Sequence, residues 1–125
     1  MSDQVPEHGL QLRTLVTASQ TVELSLADVD VAAPEPHQVV IRVEAAPINP
    51  SDLGLLFAGA DMAQATAGGT PDRPVIAAPL AAAAARAAAA RVGQSLPAGN
   101  EGAGTVVAAG KIGRASCRER VLMPV

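Results

Sequence analysis

Aromatic side chains are almost missing from this chain: its 125 residues hold no tryptophan, no tyrosine and one phenylalanine, Phe57. A core must then be assembled from Val, Leu, Ile and Ala. Much of the 49% apolar content is alanine, which buries little area per residue at about 25 cal/mol per Å2, so marginal stability is expected. Cysteine is just as scarce, with Cys117 standing alone. An excess of positive charge is lacking too. The net charge of -3 and a pI near 5.2 give nucleic acid or an anionic membrane nothing to attract. No stretch approaches the ~18 consecutive apolar residues of a transmembrane helix. The start, MSDQVPEHG, has neither the basic beginning nor the apolar middle of a secretory signal, which leaves the cytoplasm as the expected location. No Ser-His-acid arrangement, HExxH or EF-hand pattern occurs, which counts only against those classes. The length suits one ordinary domain.

What is present reads mainly as strand. Residues 10–16 (LQLRTLV) and 21–26 (TVELSL) alternate or nearly so, with Ala18-Ser19-Gln20 between them, and predict a hairpin. Residues 32–37 (AAPEPH) form a proline-rich connector, because each proline disfavours helix and removes a ladder donor. Residues 38–46 (QVVIRVEAA) are the best strand, with Val40, Arg42 and Glu44 on one face and Val39, Ile41 and Val43 on the other. A short helix is expected from Asn49 through Phe57. Asn caps well, Pro50 suits the first helical position, and Asp52 favours the positive end of the helix dipole, while Gly54 weakens the middle. Residues 58–79 show no periodicity and predict a long irregular loop of the kind that covers a site or is disordered. Residues 80–92 (LAAAAARAAAARV) predict an Ala-rich surface helix stopped by Gly93. Residues 102–110 (GAGTVVAAG) return to strand.

Residues 111–121, KIGRASCRERV, differ in character from everything before them. Four of the nine basic residues (Lys111, Arg114, Arg118 and Arg120) and Cys117 fall here. Residue for residue, this is what one reading frame of a common sequencing-adapter read encodes. The plain alternative is a basic C-terminal arm. Residues 111–125 are therefore set apart as a non-native tail, and residues 1–110 are taken as the domain. The natural part then has no cysteine, hence no disulfide and no thiolate metal site, and is expected to break off inside a domain.

Two motifs carry the chemistry: residues 39–52, VVIRVEAAPINPSD, and residues 99–104, GNEGAG. In order, they resemble the N-terminal, GroES-like catalytic domain of the medium-chain dehydrogenase/reductase superfamily, in its zinc-free quinone-oxidoreductase branch. The resemblance spans about residues 10–110. It implies a mainly β fold with short helices, part of a GroES-like barrel, with a following Rossmann domain absent. It also implies an NAD(P)H-dependent hydride transfer to a quinone or an activated alkene or carbonyl, in a complete enzyme that is a homo-oligomer. The substrate is a small molecule. A fragment of this kind is expected to be inactive alone and to hold no cofactor. Two alternatives from other classes are a GroES-type co-chaperonin, which shares the barrel but must form rings, and a non-catalytic truncated protein.

In the zinc enzymes of that superfamily the positions of Asn49 and Asn100 carry a Cys and a His. A carboxamide replaces neither ligand well, so no metal is expected. His8 and His37 sit in polar, proline-flanked segments and read as solvated. Asn49 has two readings: a helix cap, or a site residue whose amide faces the nicotinamide or the substrate oxygen. Asn100 is the second cleft-facing candidate for the cofactor. Ser51 matches the position of a proton-relay hydroxyl in the zinc enzymes, and without zinc a structural serine in the first turn is the simpler account. Asp52 and Glu101 read as supporting carboxylates rather than a catalytic pair. GNEGAG is not a dinucleotide fingerprint, since that needs G-x-G-x-x-G before a helix and here a strand follows. GTVVAAGK, residues 104–111, has five residues between its glycines and Ile112 in place of Ser or Thr, so it is no phosphate loop.

Overall fold

The computed structural model describes residues 5–99, 101–111 and 120–124. It is mainly β with two short α-helices, and the chain divides into two compact units. One unit takes Leu10–Asp28 and Ile48–Ala98; the other takes Val29–Pro47 with the described residues before Leu10 and after Ala98.

The larger unit is built on a five-stranded sheet. Strands β1 (His8–Val16) and β2 (Thr21–Asp30) make the hairpin expected from their alternation and pass from one unit into the other. Their turn is closed by the Thr17 N–H on the Thr21 carbonyl (2.8 Å), with Gln20 in the left-handed region at φ 59°. Strands β4 (Thr66–Thr70), β5 (Arg73–Pro79) and β6 (Ser95–Pro97) complete the spatial order β4-β5-β2-β1-β6. The smaller unit holds the order β3-β7-β8, from Val39–Ala45, Glu101–Ala109 and Arg120–Pro124. Each sheet has two edges, so neither closes on itself into a barrel.

Helix α1 spans Pro50–Phe57, as Asn49-Pro50 predicts. It ends where Ala58 and Gly59 turn left-handed, at φ 50° and 76°. The core of this unit packs against the segment that follows this helix and against the alanine run. Val16, Val22, Ala78, Leu80 and Ala88 are buried and pack with Ala58, Ala60, Met62, Ala65, Ala84 and Ala85. A chain with one aromatic ring has thus built its core from Val, Leu and Ala, as its composition requires.

Two expectations fail in this unit. Residues 58–79 are not an irregular loop: a 3-10 turn (Met62–Gln64) leads into the β4–β5 hairpin. The period-2 signal was hidden because all five β4 residues are exposed, so nothing selects an apolar face. The Thr70-Pro71-Asp72-Arg73 turn is what brings the strands together, and the Thr70 hydroxyl accepts the Arg73 N–H at 3.1 Å. Residues 80–92 are not one surface helix either. Helix α2 covers only Ala82–Ala87, and Ala89–Arg91 form a separate 3-10 turn. Alanine propensity loses to tertiary ties at both ends. The Leu80 N–H continues the sheet onto the Gln20 carbonyl (2.8 Å), and the Gly93 N–H is held by the Val16 carbonyl (2.9 Å). Ala81 offers no side chain to cap the helix.

In the smaller unit β3 pairs antiparallel with β7, and β7 with β8. The simple alternation expected of β3 is broken by register shifts between Val40 and Ile41 and between Val43 and Ala45. The backbones approach closely at two glycines. A Cβ on Gly104 would collide with the Arg42 carbonyl, and one on Gly110 with the Glu35 carbonyl. Residues 120–124, part of the segment set apart as a tail, supply β8 along Glu101–Thr105. Among the described residues no helix is long and apolar enough to cross a membrane.

Candidate functional site

The INPSD motif lies at the N-terminus of α1, and its geometry follows from helix-end chemistry. A helix leaves its first N–H groups unpaired. Asn49 has the extended backbone of a cap residue (φ -93°, ψ 154°), and its carbonyl accepts the Asp52 N–H at 2.9 Å. The Asp52 carboxylate turns back and accepts the Asn49 N–H at 2.8 Å. Asp52 is 3% exposed, and this hydrogen bond helps to hold the motif in shape. Asn49 is half-buried, with its side chain in the capping-box arrangement opposite the Asp52 N–H. Ser51 is exposed in the first turn. Ile48 at 79% and Leu53 at 43% exposure flank these polar groups with apolar surface.

Chemically, this arrangement offers a carboxamide and a hydroxyl as hydrogen-bond donors to an oxygen, beside an apolar surface. It holds no free acid. Asn100 lies outside the described residues, and with it the pairing of the two Asn positions. Glu101 opens β7 and is exposed. His8 pairs through Nδ1 with the Asp30 carboxylate at 2.9 Å, both well exposed, and His37 is exposed in a turn. Among the described residues no three His, Cys, Asp or Glu side chains come together as a metal site would need.

The glycine-rich turn at Gly99 does not have the form of a dinucleotide fingerprint. Holding a dinucleotide's pyrophosphate requires a glycine-rich turn from a strand into a helix N-terminus. Here Gly99 precedes a strand, Glu101–Ala109.

At the other end of α1 lies a constellation that sequence reasoning missed. Thr14 on β1 is fully buried, and its hydroxyl donates to the Leu56 carbonyl at 2.9 Å. The Arg91 guanidinium donates through Nη2 to the Leu55 carbonyl at 2.8 Å and reaches the Thr14 hydroxyl at 3.4 Å. Its Nε is buried without a partner. A cation beside the last carbonyls of a helix also suits the dipole. Thr14 had a signal, being the one polar residue among Leu10, Leu12 and Val16 on their common strand face. Arg91 had none, since at the end of an alanine run it reads as a solvent-facing charge.

Grooves lined by described residues include two in the larger unit. One, about 410 Å3, runs between the β1–β2 turn and the alanine helix, with Val16, Gln20, Ala85 and Arg86 in its wall. The other, about 380 Å3, lies between the sheet and the C-terminal end of α1. Compared with family models and with curated proteins, the chain matches none.

Proposed function

We propose that this chain carries the substrate-side part of an NAD(P)H-dependent oxidoreductase resembling the zinc-free quinone oxidoreductases, which transfers a hydride to a quinone or an activated alkene or carbonyl. The observation that supports this reading is the INPSD helix start. A half-buried Asn49 and an exposed Ser51 are held at the N-terminus of α1 by the Asp52 carboxylate, beside the exposed apolar Ile48. In this reading Asn49 and Ser51 donate hydrogen bonds to the substrate oxygen and orient it. Neither is asked to be a strong acid, because a quinone can take its protons from solvent. The dinucleotide is held by a part of the enzyme beyond these residues, and a GroES-like barrel is the fold family to which the two sheets are assigned.

The gene read onward from the codon of Gly110 tests this directly. A continuation into a strand, a G-x-G-x-x-G turn and a helix is expected. An immediate stop in the natural gene would overturn the reading. Calorimetric titration of the 125-residue chain with NADPH should show no saturable micromolar binding, and elemental analysis after metal-free purification should find no stoichiometric zinc. One zinc per chain would contradict the assignment to the zinc-free branch.

A further inference from the structure

The sheet face of the larger unit is apolar along its whole length but covered only over part of it. β1 contributes Leu10, Leu12, Thr14 and Val16 to this face by alternation, and β2 contributes Val22, Leu24 and Leu26. Thr14, against the end of α1, and Val16 and Val22, against the alanines of the core, lie at 0–1% exposure, whereas Leu12 and Ile76 are each 39% exposed. The 380 Å3 groove begins where the cover stops. Leu12, Leu24, Leu26 and Ile76 form its floor, and Phe57 and Met62 stand beside them.

Three properties say what fits there. First, none of the described lining residues is charged, and their exposed atoms are almost all apolar. A charged ligand would lose its water and find no partner. Second, the volume lies within the range of small-molecule sites, roughly 300–1,000 Å3. Third, the α1 wall is fixed rather than loose. The Thr14 hydroxyl holds the Leu56 carbonyl and the Arg91 guanidinium holds the Leu55 carbonyl, so Leu56 and Phe57 are presented in one position. Phe57, the only ring in the chain, offers a flat face for stacking, and Met62 an adaptable one.

We propose that this groove is a binding site for a neutral, apolar small molecule of aryl or alkyl character with at most one hydrogen-bonding group. Neither Asn49 nor Ser51 lines the groove, and roughly 8–10 Å of rise along α1 separates them from Leu56. The site is therefore distinct from the INPSD end and does not rest on the oxidoreductase reading.

A matched pair of fluorescent probes tests it on the full chain: N-phenyl-1-naphthylamine, which is neutral, and 8-anilinonaphthalene-1-sulfonate, the same skeleton with an anionic group. The chain has no tryptophan or tyrosine to interfere. The neutral probe should saturate at one site in the micromolar range, and the sulfonate should bind at least tenfold more weakly. Leu12→Lys and Ile76→Lys, both at partly exposed positions, should each weaken the neutral probe at least tenfold while keeping a cooperative melt. Ser19→Ala, at an exposed position of the β1–β2 turn outside the groove, should leave binding unchanged. If either lysine variant loses its melt, methyl NMR of the unaltered chain with naphthalene decides. Shifts confined to Leu12, Leu24, Leu26 and Ile76 support the site, and shifts spread over the molecule refute it. Absence of saturation, equal affinity for both probes, or unchanged affinity in both folded variants would overturn the proposal. So would a dimer that Ile76→Lys dissolves in a chain that binds no probe.

Discussion

Two ends of one sheet face carry the same kind of residue and have opposite fates. Val16 and Val22 at one end are 1% exposed; Leu10, on the same strand as Val16, is 54% exposed. Nothing in strand periodicity separates them, because alternation selects a face and not a position along it. The difference lies in what crosses above. Over Val16 and Val22 pack residues that are largely alanine, among them Ala58, Ala60, Ala84, Ala85 and Ala88. Over Leu10 and Leu12 the cover stops. Burial on a sheet is therefore decided by the neighbouring layer, and a hydrophobic residue is core only where a second element reaches it.

The contrast can be broken most severely by putting charge at each end. Val22→Asp places an unpaired carboxylate in a buried site, a penalty of several kcal/mol against a total stability of about 5–15 kcal/mol. Its cooperative melt should vanish. Leu10→Asp should change stability by no more than about 0.5 kcal/mol. Circular dichroism melts of the two variants, compared with the parent chain, check the pair.

The smaller unit offers the same comparison between glycines. Gly104→Ala drives a methyl group into the Arg42 carbonyl and should destabilise by roughly 1–3 kcal/mol. At Gly102 the nearest atom to a new Cβ is a Val43 methyl at 3.4 Å, so Gly102→Ala should be close to neutral. Denaturant titration distinguishes them, and equal losses would remove the close-approach account of β3 and β7.

Next in size are the ties that hold the cover in place. Thr14→Val keeps the shape but leaves the buried Leu56 carbonyl without its donor, with an expected loss of about 1–2 kcal/mol. Arg91→Ala should act on the same end of α1, and the double variant should lose less than the two single effects added together, because the groups share one constellation. Full additivity would show that Thr14 and Arg91 are independent. Smallest is Asp52→Ala at the far end of α1. It removes the cap on the Asn49 N–H and should take away roughly 0.5–1 kcal/mol.

How much of this was legible in the sequence varies by element. The β1–β2 hairpin, β3, α1 and β7 could be read, because each has either alternation or end chemistry: Asn49-Pro50 for the helix, glycines for the last strand. The β4–β5 hairpin could not. Its outer strand is exposed on both faces and rich in Gly and Ala, so period 2 carries no hydrophobic signal, and only the Pro71-Asp72 turn betrayed it. The alanine segment misled in the other direction. Its strong helix propensity was real, but Leu80 and Gly93 are pinned to the sheet, and six residues of α-helix are what fits between. At the candidate site, Asn49 and Ser51 were visible as a motif. Thr14 and Arg91, some eighty residues apart in sequence, meet only through the fold.

The two ends of the sheet face should differ in access to solvent. Methyl-resolved paramagnetic relaxation with a neutral, soluble gadolinium chelate measures that. Strong enhancement at Leu10, Leu12 and Ile76, with several-fold weaker enhancement at Val16, Val22 and Ala78, is the expected result. Uniform enhancement along the face would mean that the α1 and alanine segments do not cover it. Uniform protection would mean that the open half, and the groove proposed on it, are closed in solution.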